Sequence, residues 1–179
     1  MGHLRTAFIG MLVVLGAVSC TPAAPQTNDL AASTSVRDPA SEVITQSKGP
    51  FTCPDCELVQ VTGIVDGDTI DTSIGRVRFY GIDTPERGES CYQEATDFTA
   101  LLVGDQVRLE DGPRLTDGFD RRLAYVFDIA GSSIDAQIVK AGLGIAWIRD
   151  GQHRGRLIDL QSVATSAARG CLWRNSDAK

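Results

Sequence analysis

Four carboxylates and three arginines stand where they could act on a charged oxygen substrate. Asp66 and Asp68 flank Gly67 in a tight turn, and Asp83 and Glu86 follow a later strand. Two carboxylates joined by carbonyls and waters make a hard, oxygen-only site suited to Ca²⁺. Turns also attract aspartate for purely local backbone reasons, so the Asp66-Gly67-Asp68 triplet alone does not specify a cation. Arg78 lies inside an expected strand, while Arg121 and Arg122 follow the turn Thr116-Asp117-Gly118-Phe119-Asp120. A metal held by carboxylates, one further carboxylate and two arginines can stabilise the charge that builds at phosphorus. Taken singly, each arginine reads as a surface ion-pair partner. Outside the first twenty residues the one histidine is His153. That argues against chemistry built on paired histidines or a histidine-rich zinc site. A Ser/His/Asp set lacks its nucleophile-elbow motif.

The elements that must position these groups are short. Apolar alternation predicts strands over 58–64, 69–74, 76–82, 106–110 and 123–129. In the third, Val77 and Arg78 should face opposite sides. If the second and third strands form a hairpin, the start of one and the end of the other share an end. Asp68 and Asp83 then converge. Ser90 and Gln93 fit a capping box ahead of a helix carrying Ala95, Phe98 and Leu102, which Gly104 ends. Two more helices are expected over 134–141 and 156–169. The order βββ-α-ββ-α-α suggests a mixed α+β fold, mainly β: a five-stranded Greek-key barrel of the OB type with three helices.

The first fifty residues differ in kind. Arg5 precedes an apolar run from Ala7 to Val18, too short to span a bilayer comfortably, and Ala17-Val18-Ser19-Cys20 resembles a bacterial lipobox. The expectation is an export signal over 1–20, with Cys20 as the lipidated residue anchoring the protein to the cell envelope. Ordinary signal cleavage near Ala17 or Ser19 is the alternative. Residues 21–50 are rich in Ala, Thr, Ser, Pro and Gln and read as a disordered tether. Residues 51–179 read as the folded domain, outside the cytoplasm. Its cysteines Cys53, Cys56, Cys91 and Cys171 allow three connectivities. Cys53–Cys56 with Cys91–Cys171 is favoured over a redox-active Cys53/Cys56 pair or a four-thiolate zinc site.

Net charge is −6, which excludes a strongly basic nucleic-acid wrapper. Past residue 50 the cations are twelve arginines with only Lys140 and Lys179. Arginine favours bidentate contact with phosphate or carboxylate.

Three blocks carry a resemblance. Val65-Asp66-Gly67-Asp68-Thr69, the run from Val77 to Glu86, and the run from Thr116 to Tyr125 resemble, in order and spacing, the signature stretches of the staphylococcal nuclease-like (thermonuclease) family. The resemblance covers roughly residues 57–174, including Gln93-Glu94-Ala95 with Phe98 and Gly170-Cys171-Leu172-Trp173. It implies an OB-type barrel and a calcium-dependent nuclease that leaves 3′-phosphate ends on DNA and RNA. It further implies Asp68, Asp83 and the Thr84 carbonyl as calcium ligands, and Arg78 and Arg121 on the phosphate. Glu86 would orient or deprotonate the attacking water.

There are departures from the staphylococcal type. The 87–91 loop is shorter and lacks its lysines. Gly118 replaces a lysine near the substrate, and Phe119 replaces a tyrosine that packs on the nucleotide. Trp147 lies near another substrate-side tyrosine, where barrel packing explains it equally well. With the acidic net charge, these changes point to weaker substrate binding. The expected partners are single-stranded or frayed DNA and RNA and, through the anchor, a membrane. No protein partner is indicated and a monomer is expected. A non-catalytic OB-type binding module on the envelope is the competing reading.

Overall fold

The computed structural model describes residues 51–174. The expected export signal, tether and lipidated Cys20 lie outside those residues. Five strands close into a barrel: β1 (Glu57–Ile64), β2 (Thr69–Thr72), β3 (Gly75–Phe79), β5 (Gln106–Thr116) and β6 (Arg122–Phe127), in the order β1-β2-β3-β6-β5. β4 (Ile82–Asp83) and β7 (Ile145–Ala146) form a small separate pair. The helices are α1 (Tyr92–Val103), α2 (Ile134–Ala141), α3 (Arg154–Ser166) and the single turn α4 (Gly170–Trp173). The mixed α+β barrel expected from the sequence is present, with four helical segments instead of three.

Alternation explains the strands. In β3, Val77 and Phe79 are buried while Arg76 and Arg78 leave the other face. β6 differs: Leu123 to Phe127 are all buried, because the barrel interior takes one face and α2 packs on the other. The core runs through Val59, Ile70, Val77, Phe79, Val107 and Leu109 of the barrel to Ile134, Ile138 and Leu157 of the helices.

Several expectations are corrected. The third strand stops at Phe79, and Ile82–Asp83 turns away to pair with Ile145–Ala146. β3 and β6 form the one parallel pairing of the barrel, the other four being antiparallel. β5 continues to Thr116, with a break in register between Asp111 and Thr116. β6 ends at Phe127, two residues early. The capping box does not form. Cys91, with φ 72°, is the N-cap and offers no side-chain cap, while Gln93 Nε2 donates to Asp97 Oδ1 one turn on. α3 starts at Arg154 and ends at Ser166, where Ala168 turns left-handed at φ 47°. α2 has the expected bounds. Ser133 Oγ accepts from the Ala136 N–H, and the Gly142 N–H closes onto the Ile138 and Val139 carbonyls.

Both favoured disulfides are present, Cys53–Cys56 and Cys91–Cys171. The second ties the start of α1 to α4 across 80 residues. Four free thiolates for zinc are therefore not on offer.

Candidate active site

The site begins at the turn between β1 and β2. The Val65 and Asp66 N–H groups both donate to the Thr69 carbonyl, at 3.0 and 3.2 Å. The Asp68 N–H donates to Asp66 Oδ1 at 3.1 Å. Gly67 is required by close approach, since a Cβ there would meet Thr84 Oγ1 at 2.7 Å and the Ala95 Cβ at 3.0 Å. Thr99 of α1 donates its hydroxyl to the Gly67 carbonyl at 2.6 Å. Helix and strand together clamp the turn and direct Asp68 inward.

Asp68 is 4% exposed. Its Oδ2 accepts from the Thr84 N–H at 2.7 Å and the Thr84 hydroxyl at 2.8 Å. Its Oδ1 accepts from the Thr69 hydroxyl at 3.1 Å and lies 3.0 Å from Arg78 Nε. Burial pushes the Asp68 carboxyl up to about 6; the Arg78 charge opposes that rise and Asp66 adds to it.

Arg78 links the parts. Its Nη2 donates to Asp83 Oδ1 at 2.6 Å, and its Nη1 donates to the Phe79 and Ile82 carbonyls at 2.9 and 2.8 Å. The hairpin logic therefore holds: Asp68 and Asp83 converge on one guanidinium. They differ in setting, because the Asp83 side chain is 59% exposed. Thr84 is expected from the resemblance as a carbonyl ligand; here its N–H and hydroxyl hold Asp68.

Arg121 is held by Asp117. Their ion pair is 2.7 Å, and Asp117 Oδ1 also accepts from the Phe119 and Arg121 N–H groups at 2.8 and 3.1 Å. Burial raises the Asp117 carboxyl, yet the Phe119 N–H and the Arg121 contacts outweigh it and leave it below the usual range. Asp120, with φ 58°, completes this turn in a conformation aspartate tolerates. Phe119 stands 82% exposed, with the Arg121 guanidinium 5.5 Å from its ring centre.

Two clefts meet at Arg121. One, of about 720 Å³, is lined by Asp71, Arg76, Glu86, Phe119, Asp120 and Arg121. The other, of about 220 Å³, is bordered by Arg78, Arg121, Asp117 and Trp147 among others. Glu86 is exposed in a turn after β4, where its N–H donates to Glu89 Oε2 at 2.8 Å. Trp147 packs against the core and also borders the smaller cleft. Arg122 turns elsewhere, to Glu57 and Asp111 at 2.8 Å each. His153 is structural, with Nε2 2.6 Å from Glu110 Oε2 and its ring against Phe51 and Tyr125.

Sequence reasoning gave no role to Asp117 or Asp71. The signal for Asp117 was its place four residues before Arg121, in the turn that presents that arginine. Asp71 was hidden in a strand, where its contact depends on pairing with β3.

The fold and rim define a class: an OB-type barrel whose mouth carries paired carboxylates and two arginines. Residues 76–175 match the family model described as staphylococcal nuclease homologue. That span exceeds half of the chain, and the chain belongs to this family. It is 25% identical over 138 residues to endonuclease YhcR of Bacillus subtilis (strain 168), a match covering 65% of this chain and 11% of that protein. The chain thus spans only a small part of that relative's length.

Proposed function

We propose that residues 51–179 form a calcium-dependent endonuclease that hydrolyses phosphodiester bonds of DNA and RNA to 3′-phosphate ends. Family membership supports the reaction class. The observation that carries the reading is Arg78, which joins Asp68 and Asp83 at a mouth where Arg121 and Glu86 line adjoining clefts. The donor set fits a hard cation. It is all oxygen, and Asp68 is a buried carboxylate whose pKa is raised by a desolvation penalty that Arg78 only partly offsets. Asp68, Asp83 and the Thr84 carbonyl would hold calcium. When bound, calcium supplies Lewis-acid polarisation of a phosphoryl oxygen.

The protein's own groups do the rest. Arg78 contacts the phosphate in ground and transition states, and Arg121 stabilises the departing 5′ oxygen. Glu86 orders or deprotonates the attacking water. Phe119 offers an exposed ring on which a base stacks, and half-buried Trp147 a second one. The substrate is a single strand or frayed duplex, and the enzyme acts as a monomer. Residues 1–20 serve as the export signal and 21–50 as the tether, with Cys20 carrying the lipid that holds the enzyme on the envelope outside the cytoplasm. Among the described residues no helix is long and apolar enough to cross a membrane.

The decisive experiment incubates single-stranded DNA with the protein, wild type and Glu86→Gln, with calcium and with chelator. Wild type should cut only with calcium, and Glu86→Gln should cut far more slowly while still binding. Wild type that binds the strand and never cuts it would establish the binding-module alternative. Cutting that persists in chelator, or at full rate in Glu86→Gln, would place the chemistry elsewhere.

A further inference from the structure

Arg76 and Arg78 are alternate residues of β3, with Val77 and Phe79 buried between and after them. Both side chains therefore leave the same outer face of the strand. Their Cα atoms are ~6.7 Å apart along it, the order of the step between successive phosphates of an extended nucleic-acid strand. Arg76 lines the larger cleft together with Glu86, Phe119 and Arg121.

Its present partner is Asp71, which sits directly across on β2. Arg76 Nε donates to Asp71 Oδ1 at 2.8 Å and Nη2 donates to Oδ2 at 3.1 Å. This is the fork geometry that a phosphate would otherwise occupy. The side chains are 49% and 40% exposed, so the pair carries no burial requirement and contributes little to folding. The hydrogen bond from Arg76 holds the Asp71 carboxyl below the usual carboxylate range, so it is ionised at neutral pH. A fixed anion on a cleft wall that also holds the wall's arginine weakens polyanion binding twice, by repulsion and by occupancy.

We propose that Arg76 is a second phosphate subsite, one nucleotide from the phosphate held by Arg78, and that Asp71 is its built-in competitor. The ligand is the sugar–phosphate backbone of a single strand, read without regard to base. On binding, the phosphate takes the Arg76 fork and Asp71 is released to water. The inference rests on the nuclease reading and adds to it a contact that only substrates with more than one phosphate can use.

The test is equilibrium binding of a short oligothymidylate by the full chain over a salt series, in chelator so that nothing is cut. Thymidine 5′-monophosphate serves as the single-phosphate probe. Arg76→Gln should weaken oligothymidylate binding about tenfold and reduce the steepness of log K against log salt by ~0.7, one phosphate on a single strand. Asp71→Asn should tighten it several-fold. Neither should alter thymidine 5′-monophosphate binding, and thermal melts of both should match wild type. An unchanged slope in Arg76→Gln, or weaker binding in Asp71→Asn, overturns the subsite. If wild type also cuts with calcium, the nuclease reading survives that loss. An Arg76-dependent slope in a wild type that never cuts would sink the nuclease reading and leave the subsite standing.

Discussion

Asp68 and Asp135 are the two buried carboxylates among the described residues, 4% and 0% exposed, and they are held in opposite ways. Asp68 meets side chains that can move: two hydroxyls and a guanidinium, with one backbone N–H. Asp135, in the first turn of α2, accepts from the backbone, from Gly81 N–H at 3.2 Å and Val126 N–H at 2.8 Å. Each has a glycine pressed close. A Cβ on Gly81 would meet Leu157 at 2.5 Å and Asp135 Oδ1 at 3.0 Å. Burial raises both carboxyls, Asp68 to about 6 and Asp135 to about 7. The same desolvation thus serves two ends. At the rim it leaves a carboxylate with exchangeable partners and an arginine that opens onto a cleft. In the interior it fixes a corner, tying the end of β3 to β6 and α2 with no opening. A raised pKa locates a site only when joined to an opening.

The largest effect separates the two regions by activity. Arg78→Lys keeps the charge beside Asp68 but loses the planar fork. It should lower kcat by ~10²–10³-fold with KM changed much less, measured as initial rates on single-stranded DNA with calcium. Full kcat in that variant would remove the rim from the chemistry. Asp135→Ala should do the reverse. Leaving the Gly81 and Val126 N–H groups without a partner should cost about 2 kcal/mol in urea unfolding. The rate per folded molecule should stay at wild type. A variant that unfolds normally but cannot cut would exchange the roles assigned to the two aspartates.

The pH dependence of stability sharpens the contrast. A carboxyl raised in the folded state keeps its proton where the unfolded chain has released it. For Asp135 the window runs from the ordinary aspartate value of 3.8 to about 7. The folded state binds more protons across it, so stability falls as pH rises, by about 1 kcal/mol per pH unit at the steepest. Without calcium Asp68 adds a slope of the same sign up to about 6. Above about 6 the Asp68 contribution dies away and Asp135 carries most of the remaining slope. Asp135→Asn should flatten denaturation midpoints there. An unchanged slope in that variant would assign the titration to another group.

What was legible in the sequence follows physical range. Val77 and Arg78 alternate within one strand, so their opposite faces could be read directly. The convergence of Asp68 and Asp83 needed only a hairpin. The parallel β3–β6 pairing and the split at Gly81 depend on residues far apart in the chain, and no local pattern marks them. β5 runs on through Asp111-Gly112-Pro113-Arg114, which looks like a loop, because β6 supplies pairing again at Thr116. Asp135 reads locally as a favourable charge at a helix start. Only Gly81 and Val126, brought over it by the fold, bury it. Ser90 and Gln93 had the right spacing for a capping box, but Cys91 takes the N-cap position and is bonded to Cys171.

The smallest effect is the most discriminating, because it asks whether protons and calcium compete for one carboxylate. Asp68 carries a proton below about 6, where burial has raised it. A protonated carboxyl cannot ligate calcium, so binding must expel that proton. Calcium affinity should be flat above about 6 and fall by up to about tenfold over the next pH unit down, the signature of one displaced proton. Calorimetric titration in buffers of different ionisation heat would count that proton directly. Asp135→Asn should leave the curve untouched, since its carboxyl faces backbone amides and no opening. Asp83→Asn should lower affinity at every pH if the exposed Asp83 is the second ligand proposed above. An affinity without inflection near 6 would mean that Asp68 holds no calcium, and an inflection that moves in Asp135→Asn would mean that the two buried carboxylates act as one coupled unit.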